Sequence, residues 1–455
     1  MTDAIKKSLR ESKTARWIAL AIVAFTMFTG YLFTEVLSPL KPLVEKDLGW
    51  DSSDFGTVTS AYGWFNVFLV MLILGGIILD KMGVRFSAIM SACIMVVGAS
   101  MKYWAISSEF ADVRILGLSQ QVFYAGIGYA IFGVGVEIAG ITVSKIIVKW
   151  FMGKELALAM GLEMATARLG SFVALFVSPF VAEAMDVSKP FLFGVILLVI
   201  GLIAFIVYNV MDVKLDKEID ADKLKTEEEE FKLKDIGFII SNRGFWYIAI
   251  LCVLFYSAVF PFYKYGPDLM VNKFGISDRW AGFIPSLVPF GTILLTPLFG
   301  NLYDRKGKGA SIMILGAVML IFVHIILFLP GITNVIVAAI DVIVLGIAFS
   351  LVPSAMWPSV PKIIPEKQLG TAYALIFWIQ NWGLMGIPFL LGYVLEKTNP
   401  GVAQAKQAGE EVVYNYTTTW MIFVVLTMIA LVFAFLLKAE DKKKGYGLEL
   451  PNIKR

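Results

Sequence analysis

The stretch GGIILDKMGVR at residues 75–85 returns, altered but with the same spacing, as FGNLYDRKGKG at 299–309. Gly76, Asp80 and Gly83 of the first copy correspond to Gly300, Asp304 and Gly307 of the second, and Arg85 and Arg305 add basic charge to the two loops. Each copy follows the second long apolar run of its half of the chain. A motif duplicated at corresponding places marks a chain made of two repeats. Its chemistry is that of a conformational latch. Gly76 permits close helix approach. Asp80 is suited to accept from a helix N-terminus or to pair with a basic residue across the interface of the two halves. Gly83 permits a tight reversal.

Working outward from the repeat, the chain is too apolar for a water-exposed surface. Of its 455 residues 58% are hydrophobic and 16% charged, against roughly 25% charged in a soluble domain, and mean hydropathy is +0.77. A span needs about 20 apolar residues, and that rule predicts about twelve: 17–40, 55–79, 87–106, 119–144, 155–183, 190–211, 244–269, 280–300, 310–329, 333–357, 367–395 and 416–437. Continuous runs of this length favour helices over barrel strands. The fold class expected is therefore an all-α polytopic membrane protein. Residues 1–211 and 244–438 are its two six-helix bundles, 212–243 is a solvated linker holding one surface helix, and 439–455 is a tail. Lys and Arg concentrate on one side, in the N-terminal Lys6, Lys7, Arg10, Lys13 and Arg16, in both latch loops, and in Lys442, Lys443 and Lys444. The positive-inside rule then places both termini in the cytoplasm.

Several function classes fall away. A net charge of +3 gives no argument for nucleic acid. The single histidine, His324, and the two cysteines, Cys93 and Cys252, offer neither a metal site nor a nucleophile–base pair, so no cofactor and no enzyme activity is expected. Ionisable residues inside spans are costly in hydrocarbon and mark function by default. They are Glu35, Glu137, Glu163, Arg168, Lys264, His324 and Asp341. Glu137 lies on the fourth span in GYAIFGVGVEIAG, among glycines that let backbones approach, and Arg168 on the fifth in MATARLGSF. Facing each other across a cavity, they suit a zwitterion, with Arg168 taking a carboxylate bidentately and Glu137 an ammonium. The plainer reading is a structural ion pair between two helices. Lys264 lies in FYSAVFPFYKYGPD, where Pro261 and Pro267 are expected to break the seventh span into an outer gate with Tyr263 nearby. Trp64 and Asn66 in AYGWFNV, and Gln380 and Asn381 in WIQNW, complete the expected lining.

The duplicated loop resembles the signature of the major facilitator superfamily. Four stretches carry a closer likeness: WFNV at 64–67, WFMGKELALAMGLEMATARLGS at 150–171, FYSAVFPF at 255–262 and MWPSVPKIIPEKQLGTAYALIFWIQNWGL at 356–384. Together they resemble the major-facilitator family that includes the lysosomal dipeptide uniporters. The resemblance implies the major-facilitator fold, a dipeptide substrate, uniport by alternating access, and binding of the peptide's charged ends by an acid on the fourth helix and an Arg on the fifth. Glu137 and Arg168 match those positions. The expected partners are a small molecule or short peptide and the lipid bilayer, with a monomer as the working unit. The short basic N-terminus lacks an acidic dileucine signal, which points to a microbial plasma membrane rather than a lysosome. An organic-anion antiporter using Arg168 and Lys264, a proton-coupled symporter and a non-transporting receptor remain open at this point.

Overall fold

A computed structural model describes residues 12–111, 113–151, 154–216 and 233–452. Lys6, Lys7, Arg10, the acidic run Glu227–Glu230 and the middle of the expected linker lie outside the described residues. Among the described residues, eleven helical stretches are long and apolar enough to cross a membrane. One of them, Met71–Ser107, contains a non-helical residue, Gly83 (φ 79°, ψ 171°). A straight helix of that length would be about 55 Å long, far beyond a bilayer core of about 30 Å. The chain turns back at Gly83, so the stretch holds the end of the second span and the whole third, giving twelve passes. The reversal expected of Gly83 is thus present, in a region of φ that disfavours any side chain.

The spans are Lys13–Glu35, a second that starts at Ser52, a third ending at Ser107, Gln120–Phe151, Leu156–Ala184, Lys189–Asp216, Arg243–Phe274, Phe283–Lys306, Gly309–Phe328, Val335–Ile363, Leu369–Thr398 and Thr417–Lys444. The sixth shows how such a helix sits. Leu198, Gly201, Phe205, Tyr208 and Asp212 are buried at helical spacing, while Val199, Ile200, Ile203, Ile206, Val207 and Val210 are exposed. In water that face would be a liability; facing lipid, it is the expected surface.

The expectation of a broken seventh span is corrected. The seventh span is one unbroken helix, Arg243–Phe274, with Pro261 and Pro267 inside it. Neighbouring spans enclose nearly all of its second half, and an enclosed helix tolerates proline. The break falls in the second span instead. That span runs Ser52–Ser60, tightens through Ala61–Gly63, continues as Trp64–Phe68 and restarts at Met71. Between the last two pieces Val70 adopts φ 53°, costly for a β-branched residue by about 1–2 kcal/mol.

Spans one to six pack mainly on one another, as do seven to twelve, and the halves meet chiefly along three pairs: the turn Ser38–Leu40 after the first span with the seventh, the second with the eleventh, and the fifth with the eighth. The joining contacts gather on the side away from the termini. Lys264 pairs with Glu35 at 2.8 Å, Lys41 with Asp268 at 3.1 Å and Arg279 with Glu183 at 3.4 Å. Tyr414 donates to Glu45 at 2.9 Å, while Tyr416 of the second half donates to Asp268 of the same half and holds it in place. Backbones also touch there: a Cβ at Gly282 would collide with the Leu175 carbonyl, and one at Gly56 would sit 2.9 Å from the Pro388 carbonyl oxygen. The far side is closed.

Candidate substrate-binding site

Glu137 and Arg168 lie midway along the fourth and fifth spans, both half-buried between the two halves. No ion pair joins them among the described residues, so the plainer reading of the pair, a clamp between helices, does not describe this arrangement. Each is held by something else. Tyr62 donates to Glu137 at 3.0 Å from the tightened turn of the second span, and Asn381 on the eleventh faces the same carboxylate. Tyr62 reaches it because Gly133 has no side chain; a Cβ there would strike the Tyr62 carbonyl. The glycines around Glu137 thus do admit a neighbouring backbone.

Arg168 is caged by rings. Its guanidinium carbon lies 5.6 Å from the centroid of Tyr31, 5.6 Å from that of Phe260 and 4.9 Å from that of Phe349. Those rings belong to the first, seventh and tenth spans, so both halves contribute. Such contacts are worth about 0.5–2 kcal/mol each. They satisfy the charge but not the donors, and the Arg168 Nη1 has no hydrogen-bond partner. Glu163, one turn or so back on the same helix, is near enough to feel that charge. Tyr31 adjoins Arg168 and lies within electrostatic reach of Glu137, between the two signs.

The other expected lining residues divide. Tyr263 is fully buried beside Phe260 and Phe349, and its hydroxyl is unpartnered. Asn381 donates to the Phe377 carbonyl at 3.0 Å and leaves its Oδ1 unpartnered. Asn66, at the break, donates to the Tyr62 carbonyl at 3.4 Å and likewise leaves Oδ1 free. Trp64 donates to Ser60 at 3.1 Å and packs on Gly126. Gln380 accepts from the Cys252 thiol at 3.6 Å. Lys264 is placed elsewhere: it donates to Glu35 at 2.8 Å and to the Thr34 carbonyl at 2.9 Å, and is spent on joining the halves. His324 stacks on Phe423 and donates to the Ala258 carbonyl at 3.0 Å, away from the site. Tyr31, Tyr62, Phe260 and Phe349 escape a reading of the sequence, because aromatics in spans serve packing more often than ligands. Two of them stood in stretches already singled out: Tyr62, one helical turn before Asn66, and Phe260, in FYSAVFPF.

The two latch loops are not equivalent. In the first, Asp80 accepts from Lys145 at 2.8 Å, and Arg85 reaches Asp216 at 3.1 Å and Asp212 at 3.8 Å. All of these lie on spans of the first half, the sixth running to Asp216 and so past the boundary expected at 211, and Asp80 does not bridge the halves here. Nor does Gly76 or Gly300 carry a close approach, each having open space where a Cβ would go; the tight contact is at Gly75, against Ile138. In the second loop Asp304 accepts from the backbone and side chain of Asn452 at 3.1 and 2.8 Å. Gly307 (φ 67°) faces Glu449 and Pro451 of the same tail. Arg305 is exposed, with no ion pair among the described residues.

A two-half bundle of twelve passes, with both signs of charge held apart at mid-membrane and one side closed, has the layout of a secondary transporter. The profile of the Major Facilitator Superfamily matches residues 23–388, and the chain belongs to that superfamily. Among characterised relatives it is similar to the lysosomal dipeptide transporter MFSD1 of Danio rerio, with 29% identity covering 96% of this chain and 89% of the relative. Similarity to the MFSD1 of Mus musculus is 30% identity over 84% of this chain and 80% of the relative. The crystal structure of the nucleoside transporter NupG shares the fold with a TM-score of 0.68 at 14% identity, covering 93% of this chain and 99% of that one. The protein is thus an integral multi-pass membrane transporter of small molecules, in a family of transporters rather than enzymes.

Proposed function

We propose that the protein carries dipeptides by alternating access as a uniporter, gripping the peptide carboxylate with Arg168 and its ammonium with Glu137. The observation that carries this reading is the unpartnered Arg168 Nη1 inside an aromatic cage built by both halves, with no ion pair to Glu137. A buried donor left unmade costs about 1–3 kcal/mol, and more when charged. A ligand carboxylate supplies the missing bond, and the planar fork favours two such bonds at once. The free oxygens of Asn381 and Asn66 and the Tyr263 hydroxyl are suited to a peptide amide. Similarity to MFSD1 transporters, whose name specifies dipeptides, agrees with this chemistry.

The working units are the six-helix halves 1–211 and 244–438, rocking about this site. The concentration of Lys and Arg beside the termini supports a cytoplasmic location for both ends, in a cell membrane. The organic-anion alternative needs Lys264 as a second free cation, and its bond to Glu35 disfavours that. The test is uptake into proteoliposomes of a panel of dipeptides, amino acids and monocarboxylates, with and without a proton gradient. Dipeptide uptake independent of the gradient and abolished by Arg168→Ala is expected. Uptake of monocarboxylates alone, or unchanged dipeptide uptake by the folded variant, would overturn the assignment.

A further inference from the structure

We infer that the second half carries a binding site for an anionic phospholipid headgroup on the termini side of the membrane. A cavity of about 580 Å³ opens there, lined by Phe238, Arg243, Glu440, Lys443, Lys444 and Tyr446 among others. Its size is that of small-molecule sites generally. Three cations face it and one acid. Among the described residues none of the three takes part in an ion pair, although Glu440 lines the same wall.

The placement of Arg243 is the telling feature. It is the first residue of the seventh span, where the helix dipole repels a cation. Lys443 and Lys444, by contrast, end the twelfth span, where basic residues are favoured. One misplaced cation beside two well-placed ones makes a concentration of positive charge that the protein itself does not neutralise. A phosphate would.

Depth and surroundings point to a lipid phosphate. Trp246 is 41% exposed on the first turn of the same helix, and its indole donates to the Ile240 carbonyl at 2.7 Å. Half-exposed tryptophans of this kind sit at headgroup level. The short helix Leu233–Ser241 that forms one wall is amphipathic: Ile239 is buried against the protein, while Phe238 and Ile240 are 49% and 45% exposed. Apolar side chains beside a basic cavity at that depth offer acyl chains a surface next to the headgroup. The walls are fixed in place. Asn242 caps the seventh span by accepting from Gly244 at 2.8 Å, donates to the Ile363 carbonyl at 3.3 Å and accepts from Tyr446 at 3.1 Å. The headgroup would staple the start of the second half to its last helix.

The test is native mass spectrometry and thermal unfolding of the full-length protein in phosphatidylcholine nanodiscs, with and without phosphatidylglycerol. The unaltered protein is expected to retain one phosphatidylglycerol and unfold at higher temperature in its presence. The triple variant R243Q/K443Q/K444Q should bind it about a hundredfold more weakly, at about fivefold per basic residue. A control of equal charge loss on the same side, K81Q/K306Q/K367Q, should keep both effects. Equal losses in the control, retention by the triple variant, or no preference for phosphatidylglycerol in the unaltered protein would overturn the inference. Stabilisation of the same size by glycerol 3-phosphate, which has no acyl chains, would also overturn it, leaving a site for soluble phosphates.

Discussion

Arg168 illustrates how little of a site depends on charge alone. Its guanidinium is flanked by three rings and lacks a partner for Nη1. Arg168→Lys keeps the charge and loses both the fork and the stacking. Dipeptide transport by that variant should fall at least about tenfold, one bidentate bond being worth at least about 1.4 kcal/mol, with thermal stability little changed. Transport near the unaltered rate would show that a point charge suffices. The identity of this residue, and of Glu137, was legible because ionisable groups inside apolar runs are rare. Their surroundings were not. A tyrosine in a span carries no mark that separates a ligand to Glu137 from packing, so Tyr62 and Tyr31 emerge only once the backbone is placed. Lys264 stood out by the same rule as Arg168 and proved to be paired with Glu35. Sequence alone does not say whether a buried charge already has its partner.

At the scale of single elements, the spans follow from hydropathy, and the breaks do not. Proline announces a helix break in water, yet the seventh span carries two prolines and runs on, while the second yields at residues with no breaker among them, Leu69 and Val70. Two consequences are testable. Val70→Gly should be tolerated, since glycine adopts φ 53° freely, whereas Val70→Pro, fixed near −65°, should abolish transport. Equal activity of the two variants in proteoliposomes would mean that the break is dispensable. Gly133→Ala tests how the second span meets the fourth. Its methyl group would push the Tyr62 carbonyl away and carry the hydroxyl off Glu137. The affinity for dipeptide should weaken, while a binding-site-independent measure such as far-ultraviolet helicity stays constant. Unchanged affinity would remove Tyr62 from the site.

The whole molecule is caught with its far side shut. Lys41 is fully buried between Glu45 and Asp268, and Lys264 between Glu35 and Thr34, so charges of one half are neutralised by the other. Removing one partner of a buried pair costs about 3–5 kcal/mol, and here that cost falls on the closed state alone, because opening exposes the groups to water. Asp268→Asn should therefore shift the population towards a state open on the far side, seen as faster labelling of a cysteine introduced at Ala281, which is fully buried in the seal. Slower or unchanged labelling would mean that the network does not hold the seal. The two-half architecture behind this was legible from the duplicated loop, whose Asp80 and Asp304 stand at equivalent places. What the repeat concealed is their different use: Lys145 of a neighbouring span holds the first, and the chain's own tail holds the second.

The central claim is that one substrate bears both charges, its carboxylate on Arg168 and its ammonium on Glu137. The most direct measurement is binding of a free dipeptide, its N-acetylated form and its C-amidated form to the unaltered protein and to Glu137→Gln and Arg168→Gln. The account predicts tight binding of the free dipeptide alone by the unaltered protein, loss of discrimination against N-acetylation in Glu137→Gln, and loss of discrimination against C-amidation in Arg168→Gln. Equal binding of all three peptides by the unaltered protein, or the same loss in both variants, would contradict it.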